Sequence, residues 1–232
     1  MASAAATPAT IPPTRFYFAF DTEGSSPLEI ALAAVRDGRI CNALQLILRP
    51  EPGHDEAYAT ANVHGISLTL ATAIGVTQER ALSAMRCFLL SERANVTSDP
   101  EAAVYLFCAG EAPGDGDTAI CTKLALPWLR LRAVALDPWL TRVQQEYFRK
   151  VTDPYVPVCP GFIHAAYAPR QLRVKAARNA TARAKLQGGY HCATHDVVRL
   201  VNFIGEQRRK AEALQAAKQD VAASRRTTCS VV

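Results

Sequence analysis

Apolar and polar positions along this chain follow two rhythms, a period of two and a period near 3.6, and the change from one to the other marks its elements. Phe16-Tyr17-Phe18-Ala19-Phe20 is a short aromatic run that predicts a buried strand. Leu28 to Val35 is a second apolar run, and Asp37-Gly38 after it is a hairpin signal. Ile40 to Leu48 reads as a third strand, stopped by Pro50 and Pro52. Residues 50 to 76 carry neither rhythm for long and predict a long loop with short turns. From Gln78 to Leu90 the apolar positions Ala81, Leu82, Met85 and Leu89 fall at helical spacing.

Val104 to Cys108 predicts a further strand, Asp117 to Leu126 a helix closed by Pro127, and Ala133 to Leu136 a short strand running into Asp137. Residues 170 to 187 combine basic residues with a helical pattern that Gly188-Gly189 breaks. His191 to Phe203 predicts the last strong helix, with Val197, Val198, Leu200, Val201 and Ile204 on its apolar face. The segment from Glu206 to Ala223 is helix-prone but polar all round, which predicts a marginal helix or no fixed structure. Three meandering strands followed by alternating helices and strands imply an α/β fold, a mixed sheet covered by helices. The expected organisation is a disordered leader over 1–14, one domain over 15–205, and a basic polar C-terminal tail over 206–232.

Composition adds limits. With 49% apolar and 20% charged residues, the chain has the balance of an ordinary globular protein. No apolar run reaches the ~20 residues of a membrane-spanning helix. The Ala-, Thr- and Pro-rich start lacks the features of a secretory signal, so an intracellular location and free thiols are expected. The formal charge of +5 is unevenly spread. Arg170, Arg173, Lys175, Arg178, Arg183 and Lys185 follow one another with no acid between them. Such clustering suits a polyanionic partner, or a solvated helix face.

Two fragments carry candidate chemistry. Asp21-Thr22-Glu23 directly follows the aromatic run, and at period two its carboxylates share one face of the strand's end. Adjacent carboxylates repel unless a cation neutralises them, which points to a divalent metal. His191-Cys192-Ala193-Thr194-His195-Asp196 opens the last helix. A histidine beside metal-bound carboxylates can take a proton from an attacking water. Alternatively, His191 caps the helix and Asp196 favours its first turn through the helix dipole.

Taken together, an aromatic strand ending in Asp-x-Glu and a later His-x-Ala-x-x-Asp resemble the first and third motifs of the DEDDh (DnaQ-like) 3′-to-5′ exonucleases. Pro27-Leu28-Glu29-Ile30-Ala31-Leu32-Ala33-Ala34-Val35 is similar to that family's second strand, often "IIEIGAV", and Val63-His64-Gly65-Ile66-Ser67 to its "HGIT" turn. Leu136-Asp137-Pro138-Trp139-Leu140 is similar to its "DTLxLxR" strand end. The resemblance spans about Phe16 to Ile204. It implies a ribonuclease H-like mixed five-stranded sheet flanked by helices, and two Mg²⁺ or Mn²⁺ ions held by Asp21, Glu23, Asp196 and a middle-motif acid. Asp117, at a helix start, is the first choice for that acid, with Asp115 and Glu111 as alternatives. His191 is implied as general base. The implied activity is hydrolysis of single-stranded DNA or RNA 3′ ends to nucleoside 5′-monophosphates, with Arg173, Lys175, Arg178, Arg183 and Lys185 gripping the nucleic-acid backbone.

A different class of function remains open, an inactive exonuclease-like module resembling the Maelstrom domain, which binds nucleic acid or serves as a scaffold and holds zinc through Cys and His. Cys108, Cys121, Cys159, His164, Cys192 and His195 are available, without a paired Cys-x-x-Cys spacing. The terminal Cys229-Ser230-Val231-Val232 has the outline of a prenylation box, with poor residues at its second and last places.

Overall fold

The first strand, β1 (Phe16–Glu23), is apolar on both faces and must be covered on both. Phe18 and Phe20 point to one side, Tyr17 and Ala19 to the other. A computed structural model of the chain, describing residues 15–23, 26–55, 60, 64–109, 116–134 and 192–228, sets this strand at the centre of a five-stranded sheet of order β3-β2-β1-β4-β5. β2 (Glu29–Arg36) and β3 (Arg39–Ile47) continue from β1 as an antiparallel meander. β4 (Val104–Ala109) and β5 (Leu129–Val134) lie parallel to it on the other side. The protein is thus an α/β fold with a mixed five-stranded sheet, the arrangement expected of a ribonuclease H-like domain. Between β2 and β3, Asp37 and Gly38 both take positive φ, 50° and 77°, as a two-residue hairpin turn requires.

Helices cover both faces. On one, α2 (Gln78–Ala94) and α3 (Gly116–Lys123) bury Met85, Leu89, Ile120 and Cys121 against Phe18, Phe20, Ile30 and Leu32. On the other, α4 (Ala193–Thr228) lays Val197, Val198, Leu200, Val201 and Ile204 on Tyr17, Ala19, Ala31, Ala33 and Val35. The sheet surface under α4 is rich in alanine, and small side chains let a helix backbone come close to the strands. Thr77 caps α2, its hydroxyl accepting from the Arg80 amide.

The boundaries differ from the expected ones in four instructive places. A helix, α1 (Leu68–Ile74), lies inside the segment expected to be loop. Its start is set by Ser67, whose hydroxyl accepts from the Leu70 amide at 3.1 Å. α2 runs past Leu90 because Glu92 is buried and accepts from Asn42 at 2.7 Å, while Arg93 stacks over Trp128. β5 begins at Leu129, earlier than the expected Ala133, since Leu129 and Leu131 face the core and Arg130 between them keeps the period of two. The last helix continues to Thr228, through the tail. Once its first half is nucleated by packing, each alanine-rich turn added beyond it is inexpensive. The leader over 1–14, the basic segment over 170–187 and Cys229 lie outside the described residues. Among the described residues no helix is long and apolar enough to cross a membrane.

Gly75 ends α1 at a close approach. A Cβ there would stand 2.2 Å from the Ala71 carbonyl oxygen and 2.6 Å from the Arg49 backbone nitrogen, both immovable main chain. Gly75→Ala is expected to destabilise the protein by about 1–3 kcal/mol, the usual scale of overpacking. Urea unfolding checks this as a lowered midpoint at constant slope. An unchanged midpoint would mean that α1 is not held against the Leu48–Val76 bridge.

Candidate metal centre

Period-two alternation sends Thr22 toward the α2–α3 side of β1 and the two acids beside it, Asp21 and Glu23, toward α4. The acids are part of the strand itself, at its carboxyl end, where open α/β sheets collect ligands. Asp196 reaches the same place from the first turn of α4. One carboxylate oxygen from each of Asp21, Glu23 and Asp196 lies within 4.8 Å of the others. Asp21 and Glu23 are buried, 9% and 7% exposed, so water screens their mutual repulsion poorly. Burial first, then the negative charges of Asp196, Asp117, Glu23 and Glu29, hold the Asp21 carboxyl well above the usual carboxylate range.

Asp196 has partners of its own. Its carboxylate accepts from the Cys192 backbone amide at 3.2 Å and pairs with Arg199 at 2.6 Å. It therefore caps the helix, as an acid in a first turn is expected to, and also faces the β1 acids. Asp117 stands near but outside the group of three. It is buried in the first turn of α3 and accepts from the Thr22 hydroxyl at 2.5 Å, across the strand from Asp21. His191, Asp115, Glu111, Arg173, Lys175, Arg178, Arg183 and Lys185 lie outside the described residues.

Glu29 belongs to the neighbourhood without having been singled out for chemistry in the sequence. It starts β2 opposite Glu23 and is fully buried. Its carboxylate accepts from the Gln45 side chain at 2.6 Å and from the Ala193 backbone amide, at the start of α4, at 3.0 Å. A signal did exist: Glu29 is the single charged residue in the run Leu28 to Val35, at an inward-facing position.

The donor set is made of carboxylate oxygens, which suit hard cations such as Mg²⁺ or Mn²⁺. The residues present therefore fit divalent ions of that kind. Among the described residues, Cys108, Cys121, Cys192 and His195 join no group of three that could hold a metal.

No protein-family model matches the chain, and no curated protein matches it in sequence. Among solved structures it is similar to exonuclease X in complex with 5′-overhanging duplex DNA, with 16% identity and a TM-score of 0.36 over 82% of this chain and 92% of that one.

The raised Asp21 carboxyl gives the metal-free protein a pH dependence whose sign is fixed. Folding increases this group's proton affinity, so its contribution to stability is complete below the ordinary aspartate value of about 3.9 and is lost as pH rises through the higher folded value. Asp21→Asn removes that loss. In EDTA the variant is expected to melt above the wild type at neutral pH and to converge with it toward about pH 4. Thermal unfolding across that range tests this; a variant less stable than wild type at every pH would contradict it.

Proposed function

We propose that the chain is a metal-dependent 3′-to-5′ exonuclease of the DEDDh type that shortens single-stranded DNA or RNA to nucleoside 5′-monophosphates. The observation that carries the proposal is the convergence of Asp21, Glu23 and Asp196 within 4.8 Å at the carboxyl end of the central strand. Two motifs more than 150 residues apart in sequence thereby meet in space, and no packing requirement explains three acids placed together with two of them, Asp21 and Glu23, buried.

These three residues, with Asp117 as the fourth acid, would hold two Mg²⁺ or Mn²⁺ ions. When bound, such a pair lowers the pKa of an attacking water and stabilises the leaving oxygen of an in-line phosphoryl displacement. The chain's own contributions are distinct from that. β1 fixes Asp21 and Glu23 on one face, and the start of α4 presents Asp196 to them. Asp117, tied to Thr22, would complete the ligand set from α3. His191, two residues before α4 in sequence, would take the proton from the attacking water. Arg173, Lys175, Arg178, Arg183 and Lys185 would bind successive phosphates of the strand by charge, largely without regard to base. Residues 15–205 would make up the catalytic domain, with the basic tail beyond it.

The test is a single-stranded oligonucleotide labelled at its 5′ end, incubated with Mn²⁺. Wild-type protein is expected to generate a ladder shortening from the 3′ end, and EDTA to stop it. Asp21→Ala and Asp196→Ala are each expected to abolish shortening while retaining the fold. His191→Ala is expected to slow it about 10²-fold or more, with strand affinity little changed. A base must be neutral to accept a proton, so wild-type activity should fall as pH drops through about 6.5. Protein that binds the strand in Mn²⁺ yet never shortens it would overturn the proposal in favour of an inert binding module.

A further inference from the structure

We propose that Glu29 is a positioning residue: it anchors the amino end of α4 to the sheet and so holds Asp196 against Asp21 and Glu23 before any cation arrives. The inference rests on reading those three acids as a metal centre. Glu29 is fully buried, and each of its two oxygens accepts a hydrogen bond from a different layer of the fold. Oε1 takes the Gln45 side-chain amide of β3 at 2.6 Å, within the sheet. Oε2 takes the backbone N–H of Ala193, the first residue of α4, at 3.0 Å.

That amide is one of the donors a helix leaves unpaired at its start, and a carboxylate there also meets the positive end of the helix dipole. The neighbouring amide, Cys192, is taken by Asp196 itself. The two donors at the head of α4 are thus shared out: one is bound from within the helix, the other from the sheet. Asp196 follows Ala193 by three residues, less than one turn. Any shift of Ala193 away from Glu29 therefore carries the Asp196 carboxylate with it.

Mere packing does not account for an acid here. Glu29 adds a further negative charge to those already opposing ionisation of Asp21, a cost that an apolar side chain of similar volume would avoid. Such a side chain could not accept the Ala193 amide. Groups that orient metal ligands from behind typically alter metal affinity by about 10–100-fold when removed.

The test compares wild type, Glu29→Ala, Glu29→Gln and Gln45→Ala by Mn²⁺ titration calorimetry and by amide hydrogen exchange over residues 192–200. Glu29→Gln keeps a carbonyl to accept from Ala193, and the Gln45 amide can turn to meet its new NH₂ group. It is expected to retain exchange protection at the head of α4 and Mn²⁺ affinity within about 3-fold of wild type. Glu29→Ala is expected to lose protection at the first turn of α4 and to weaken Mn²⁺ by about 10-fold or more. Protection of the sheet core should persist. Gln45→Ala, which frees only one end of the clamp, should fall between these and serves if Glu29→Ala does not fold. Full protection and full Mn²⁺ affinity in Glu29→Ala, or in Gln45→Ala should it alone fold, would overturn the inference. So would equal weakening by Glu29→Gln and Glu29→Ala with protection intact, since charge alone would then be responsible. Wild type that binds no Mn²⁺ would sink the metal centre instead, and the exchange data would still decide whether Glu29 anchors the helix.

Discussion

Carboxylates crowded together away from water repel one another, and much of the arrangement around β1 can be understood from how this chain brings that repulsion about and contains it. Asp21, Glu23 and Asp196 converge within 4.8 Å, with Asp117 and Glu29 close enough to add to the field at Asp21. Local devices offset part of the charge: Arg199 pairs with Asp196, the Thr22 hydroxyl donates to Asp117, and amides at the head of α4 donate to Asp196 and Glu29. A cation set among all three acids of the triad would neutralise them together. A divalent ion in that position would meet ligands already gathered, with the ordering cost met during folding rather than binding.

The sheet makes such a gathering possible. Because β1 is flanked by antiparallel β2 and parallel β4, it lies deep in the sheet and carries both faces of the core. Side chains alternate along it, so the same periodicity that buries Tyr17 and Ala19 beneath α4 delivers Asp21 and Glu23 to the head of that helix. The alanines of β1 and β2 make a shallow bed for α4, and its valine and leucine stripe fixes its rotation. Asp196 is thereby turned toward the strand. On the opposite face, larger side chains space α2 and α3 from the sheet, and Asp117 arrives from that side.

Most of this was legible in the sequence where a rhythm was strong. The three-strand meander, the turn at Asp37-Gly38 and the helix carrying Val197 to Ile204 all follow from local pattern and turn chemistry. β5 was misplaced because the apolar run from Ala133 stands out more than the short Leu-Arg alternation before it, and α1 because its seven residues are too few for a stripe to stand out. The long extension of α4 shows packing in one half of a helix sustaining a second half that has little apolar face of its own. Within the site, Asp21 and Glu23 could be paired from spacing alone, whereas their meeting with Asp196 is a long-range contact that only a resemblance could suggest. Glu29 was hidden for a different reason. An acid inside an apolar run has meaning only when its partner is known, and that partner is a backbone amide 164 residues away.

The central claim is that these carboxylates form one cation site at the carboxyl end of β1. It is tested most directly by growing crystals of the protein, soaking them in Mn²⁺ and recording anomalous diffraction. The account expects manganese density enclosed by Asp21, Glu23 and Asp196, with Asp196 still anchored at the head of α4. Well-ordered crystals showing no manganese there, or manganese bound only elsewhere while Asp196 remains paired with Arg199, would contradict it.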